Sequence, residues 1–119
     1  MQLTENFHSS EFECGCGCAK GEMDASFMEA LQNARRIYQQ PMVIVSGYRC
    51  EAHNRKVGGK PNSAHLRGKA ADTTVSNSRQ RFLLFDALRI SGFHRLGIAK
   101  QFIHADNDDS LPSLVLWTY

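Results

Sequence analysis

Between Asp24 and Gln39 the apolar residues Phe27, Met28, Leu31, Ala34 and Ile37 recur three and four positions apart, the repeat of one helix face. Asp24 stands where an N-cap belongs and Pro41 follows the last turn, so the pattern predicts a helix over about 24–39. The run MVIVSG (42–47) is β-branched and ends at Gly47, and predicts a strand. Residues 48–68 contain Gly58, Gly59, Pro61 and Gly68 and read as loop, with room for a helical turn at EAHNRKV. A second strand, AADTTV, follows at 70–75. Ser76 or Asn77 would cap a helix over 78–91 with Phe82, Leu83, Phe85, Leu88 and Ile90 as its apolar side, closed by Gly92. Three short strands are then expected around LGIA, FIHAD and LVLWTY, whereas residues 1–22 read as irregular. Two main helices and about five strands, clustered late, predict an α+β fold on an antiparallel sheet.

A length of 119 residues suits one domain, 1–119, with its own core. The net charge of +2 is small and its Lys and Arg are scattered, so nucleic acid is not indicated as a partner. No stretch approaches the roughly 20 apolar residues of a membrane span. The opening MQLTENFHSSEFE has no basic start followed by an apolar run. No signal peptide is therefore expected, and synthesis in the cytoplasm is.

The stretch NSAHLRGKAADTTV (62–75) carries the first candidate chemistry. His65 lies in the predicted loop and Asp72 on the strand after it. A chain doubling back through Gly68 can bring the two together, and Ala70 and Ala71 keep the approach free of bulk. Zinc takes three or four ligands from His, Cys and carboxylates, a catalytic zinc leaving one position for water. FIHAD offers a third ligand, His104. Alternation along a strand puts Phe102, His104 and Asp106 on one face. Asp106 would then either take part in catalysis or hold the His104 ring.

The combination resembles the M15 family of zinc D-Ala-D-Ala carboxypeptidases and related peptidoglycan endopeptidases. The family pattern Ser-x-His-x-x-Gly-x-Ala-x-Asp stands complete as Ser63, His65, Gly68, Ala70 and Asp72. SGYR (Ser46 to Arg49) is similar to the family's strand-end segment, and FIHAD to the strand bearing its last metal histidine. SSEF with its following cysteines, AHNRKVGG and the terminal VLWTY resemble small phage and bacterial members.

The resemblance implies a Hedgehog/D-Ala-D-Ala peptidase-like fold and a monomer, with the zinc site on a loop and strands. It implies Zn2+ bound by His65, Asp72 and His104. It further implies that Arg49 meets substrate or transition-state charge, that Ser63 hydrogen-bonds the bound peptide, and that the substrate is a peptidoglycan stem peptide in the cell wall, reached on release or export. Several relatives carry Glu or Asp three residues before the last histidine as general base; here that residue is Gln101. Asp106 is the substitute read from the strand pattern, with His94 a second. The alternative is a zinc-bearing binding domain without turnover, as the Hedgehog signalling domain relates to this family.

Cys14, Cys16 and Cys18 alternate with glycine, and Cys50 follows SGYR directly. Free thiols, a disulfide or a metal cross-link to Cys50 all remain open, because C-x-C-x-C is tighter than the usual zinc knuckle. His8 and His53 are expected to be solvated.

Overall fold

The computed structural model describes residues 1–119. It opens with a short hairpin, β1 (Gln2–Thr4) against β2 (Phe7–His8), where the sequence reads as irregular. Strands this short carry no readable period. The hairpin and the turn after it bury Phe7 and Phe12, whose rings meet edge to face at 5.7 Å.

Helix α1 (Ala25–Tyr38) starts where Asp24 accepts the Phe27 N–H at 2.9 Å and ends at Gln39 in the left-handed conformation, φ 58°. Its buried face carries Phe27, Met28, Leu31, Ala34 and Tyr38; Ile37, expected there, is exposed. Strand β3 (Ile44–Ser46) is shorter than the β-branched run because it forms a sheet edge with Val43 and Val45 outward. Helix α2 (Glu51–Lys56) occupies the place of the expected turn, and β4 (Ala70–Thr74) that of AADTTV.

Helix α3 (Ser78–Ile90) is capped by Asn77, whose side chain accepts the Gln80 N–H at 2.8 Å. Its inward stripe differs from the expected one. Leu84, Ala87 and Leu88 are buried and Phe85 partly so, whereas Phe82, Leu83 and Ile90 are exposed. With apolar residues on several sides of the helix, the sequence period alone selects the wrong stripe.

Strands β5 (Arg95–Ile98), β6 (Phe102–Asp106) and β7 (Val115–Thr118) complete a sheet of order β3-β4-β6-β5-β7. All neighbours are antiparallel except β5 and β7, so the α+β fold has a mixed sheet at one edge. Both sides of β6 are already paired, with β4 and β5, and the chain returns through 107–114 to the free side of β5.

One face of the sheet packs on α1 and α3. Ala71, Val75, Leu96, Ile103 and Ala105 share a core with Phe27, Leu31, Leu84 and Leu88, and Phe27 meets Phe93 edge to face at 5.6 Å. Each large apolar side chain buried here contributes about 1.5–3 kcal/mol. Strand alternation turns the residues between them, Asp72 and His104 among them, to the opposite face.

Candidate metal centre

Pairing across the sheet aligns Ser46 with Asp72, Asp72 with His104, His104 with Gly97, and Gly97 with Trp117. Five strands thus place these five residues in a single row on the face away from the helices. Gly97 is what allows the row to close. A Cβ there would lie 2.4 Å from Trp117 Nε1, so the bare backbone lets the indole lie across β5 with its ring 5.3 Å from that of His104.

His65 approaches from above the row on a 3-10 turn, Ala64–Arg67, whose N-cap Ser63 accepts the His65 N–H at 3.2 Å. The turn ends at Gly68 with φ 68°. An added Cβ at Gly68 would sit 2.3 Å from the Glu22 carbonyl oxygen, so both the conformation and the close packing require glycine. The Arg49 N–H donates to the His65 carbonyl at 3.1 Å and ties this turn to the SGYR segment.

The ring partners assign the tautomers. His65 Nδ1 lies 2.7 Å from the Gly47 carbonyl, which can only accept, so Nδ1 carries the proton and Nε2 presents a lone pair. His104 Nε2 lies 2.7 Å from Asp106 Oδ2, so its proton is there and Nδ1 faces the row. His65 Nε2, His104 Nδ1 and Asp72 Oδ1 then converge at 3.2, 2.9 and 3.3 Å from one another. Ligands of a tetrahedral zinc at its usual bond lengths stand about 3.3 Å apart.

Three buried electron-pair donors at this spacing repel unless a proton or a cation lies among them. The donor set therefore suits zinc, and each histidine is oriented through its other nitrogen, as metal-ligating histidines are. Without a metal the charges answer in the same sense. Burial acts against the ionised Asp72, but hydrogen bonds and charge from His104 and His65 outweigh it and hold the carboxyl well below the usual carboxylate range. Burial likewise opposes a charged His104, yet Asp106 and Asp72 prevail and raise its affinity for a proton.

Arg49 flanks the cluster. Its Nε donates to Ser46 Oγ at 3.2 Å, Nη1 to Asn54 Oδ1 at 3.2 Å, and Nη2 lies 3.6 Å from Asp72 Oδ2. Asn54, buried on α2, in turn donates to the Lys60 carbonyl at 2.8 Å. Beside these residues opens a cavity of about 760 Å³, lined by Arg49, Lys60, Ser63 and His65 on one side and by Arg95, His104 and Trp117 on the other.

Asp106 reaches the cluster only through His104. Its Oδ1 accepts from Arg95 Nε at 2.7 Å and from the Asp108 N–H at 3.2 Å, leaving the carboxylate fully engaged and 1% exposed. His94 is exposed and absent from the cavity wall, and Gln101 is exposed in the turn between β5 and β6. His8 is exposed, as expected, but the Nδ1 of His53 is buried without a partner. Asn54, Arg95, Gly97 and Trp117 escape the sequence reading. AHNRKVGG contains Asn54 and could have drawn attention to it, whereas the Gly97–Trp117 contact depends on a strand pairing with no local signal.

The sequence model of the family described as Peptidase M15 matches residues 5–106. The chain belongs to the M15 peptidase family. The span matched in this M15 member includes His65, Asp72 and His104 together with Arg49, and ends before β7 with its Trp117. The family is one of zinc peptidases, in agreement with the donor set. No curated protein matches the chain.

Proposed function

We propose that this M15 member hydrolyses peptide bonds in peptidoglycan stem peptides, as a D-Ala-D-Ala carboxypeptidase or an L-Ala-D-Glu-type endopeptidase, with zinc held by His65, Asp72 and His104. The observation that carries the reading is the convergence of His65 Nε2, Asp72 Oδ1 and His104 Nδ1 beside an open cavity with an arginine at its edge. Zinc would supply Lewis acidity and a water of lowered pKa at that point.

The chain's own residues account for binding and orientation. Arg49, pinned at Nε and Nη1, presents a fixed guanidinium where a carbonyl oxygen or a terminal carboxylate would meet the cluster. Lys60 adds positive charge to the cavity wall, whose one aspartate, Asp106, is already matched by Arg95. Such a wall favours a peptide with free carboxylates, as stem peptides are. Ser63, which lines the same cavity and caps its own turn, would hydrogen-bond the bound peptide. Asp106 is read as a positioning residue for His104 rather than as the general base.

The zinc-bearing binding domain without turnover is the second reading. It is favoured by one observation: apart from the cluster and the engaged Asp106, no carboxylate or imidazole lines the cavity. Mass spectrometry of purified muropeptides incubated with zinc-loaded protein separates the two. Release of alanine or scission after L-alanine supports the peptidase and identifies its bond; intact muropeptides that nonetheless bind the protein support the binding domain.

A further inference from the structure

Away from the cavity, the turn that carries Cys14, Cys16 and Cys18 folds against the start of α2. The sulfurs of these three and of Cys50 lie within 4.8 Å of one another, with Cys14 to Cys16 at 3.4 Å and Cys16 to Cys50 at 3.6 Å. Four thiolates around a zinc ion at the usual bond length of about 2.3 Å stand ~3.8 Å apart, whereas a disulfide needs about 2.05 Å. The observed spacing matches the first arrangement. We infer that Cys14, Cys16, Cys18 and Cys50 form a second zinc site, structural in role, that clamps the N-terminal segment to the Arg49 segment.

The surroundings are built for it. The Cys50 N–H points at Cys14 Sγ at 3.3 Å, and the His53 N–H at Cys50 Sγ at 3.4 Å, two donors that stabilise thiolate sulfur. Gly17, with φ 81°, supplies a left-handed conformation inside the C-x-C-x-C run, and Ala19, with φ 64°, turns the chain directly after it; the four sulfurs meet at one point. Gly15 lies under the His53 ring, where a Cβ would be 3.1 Å from Nε2, so the turn is pressed onto α2.

Cys50 directly follows Arg49 and caps α2, the helix whose Asn54 holds the Arg49 guanidinium. The clamp therefore bears on the position of Arg49. Binding converts four thiols and one zinc ion into a tetrathiolate of charge −2, and four protons pass to solvent. All four ligands are separate from His65, Asp72 and His104, so the inference stands or falls independently of the proposed peptidase activity.

The test uses the 119-residue chain purified in the presence of zinc under reducing conditions. The wild type is expected to hold two zinc ions per chain, and the His65→Ala/His104→Ala variant one. Substituting cobalt for that remaining ion should produce a thiolate-to-cobalt charge-transfer band and intense tetrahedral visible bands. A thiol reagent should reach the cysteines of this variant only after a chelator is added. Cys16→Ser/Cys18→Ser should lose one zinc; if it fails to fold, the cobalt spectrum of the histidine variant still decides. A metal-free histidine variant with four freely reactive thiols would overturn the site. So would an intact mass two or four hydrogens below that of the reduced chain.

Discussion

Replacing Asp106 by asparagine distinguishes two roles that the position of this residue beside His104 leaves open to a sequence reader. Asp106 Oδ2 accepts a hydrogen bond from His104 Nε2–H at 2.7 Å, while Oδ1 accepts from both Arg95 Nε–H at 2.7 Å and the Asp108 N–H at 3.2 Å. Asparagine has one acceptor oxygen. If that oxygen keeps the His104 proton, the amide NH2 faces two donors; if it keeps Arg95 and Asp108, the NH2 faces Nε2–H and the imidazole must turn or change tautomer. A buried group left unsatisfied costs about 1–3 kcal/mol. Since Asp106 is 1% exposed, Asp106→Asn should destabilise the fold by that amount. Zinc affinity should fall by about 10–100-fold, the usual consequence of losing a carboxylate behind a ligating histidine. Titration of zinc against a competing chromophoric chelator measures this, and turnover followed as zinc is raised should recover most of the lost rate. A general base behaves otherwise, its loss lowering the rate by about 10²–10⁴ at every metal concentration. Normal zinc affinity with a persistent hundredfold loss of rate in excess zinc would refute the positioning role.

Other perturbations probe the neighbouring contacts. Arg49→Lys exchanges a planar fork held by Ser46 and Asn54 for a point charge, and turnover should drop by roughly one to three powers of ten with zinc content unchanged; wild-type kinetics would reduce Arg49 to a structural ion pair with Asp72. Gly97→Val drives a branched side chain into the Trp117 indole, so thermal denaturation should show a loss of about 1–3 kcal/mol while zinc is retained; unchanged stability would mean that the indole does not lie across β5. Because the proton affinity of His104 is raised, its protonated form stabilises the metal-free fold fully below the unfolded value of about 6.5, and this stabilisation is lost as pH rises through the raised folded value. Zinc competes for the same nitrogen, so its apparent affinity should move the opposite way and weaken on acidification; an affinity independent of pH between about 5 and 8 would contradict proton–metal competition at Nδ1.

Much of the site is legible in the sequence because its signals are local. Ser63, His65, Gly68, Ala70 and Asp72 fall within ten residues, and strand alternation alone links His104 to Asp106. Helix α1 is equally plain, with a capping aspartate and a single apolar stripe. Helix α3 is not, since exposed Phe82, Leu83 and Ile90 outnumber the buried leucines that define its inner face. What stays hidden is non-local. The parallel placement of β7 brings Trp117 over Gly97, and Asn54 reaches Arg49 through the packing of α2; neither leaves a periodic trace. The cysteines show both sides: three are visibly grouped, but only the folded chain brings Cys50, 34 residues beyond Cys16, to the same point.

The central claim is that a single zinc ion is shared by one named atom of each of three residues. Anomalous diffraction at the zinc absorption edge, from crystals of the zinc-loaded protein, tests it most directly. A peak about 2.0–2.2 Å from His65 Nε2, His104 Nδ1 and Asp72 Oδ1 is the predicted result. Absence of a peak at these atoms, or a zinc ion on His104 Nε2 with Asp106 as its ligand, would contradict it.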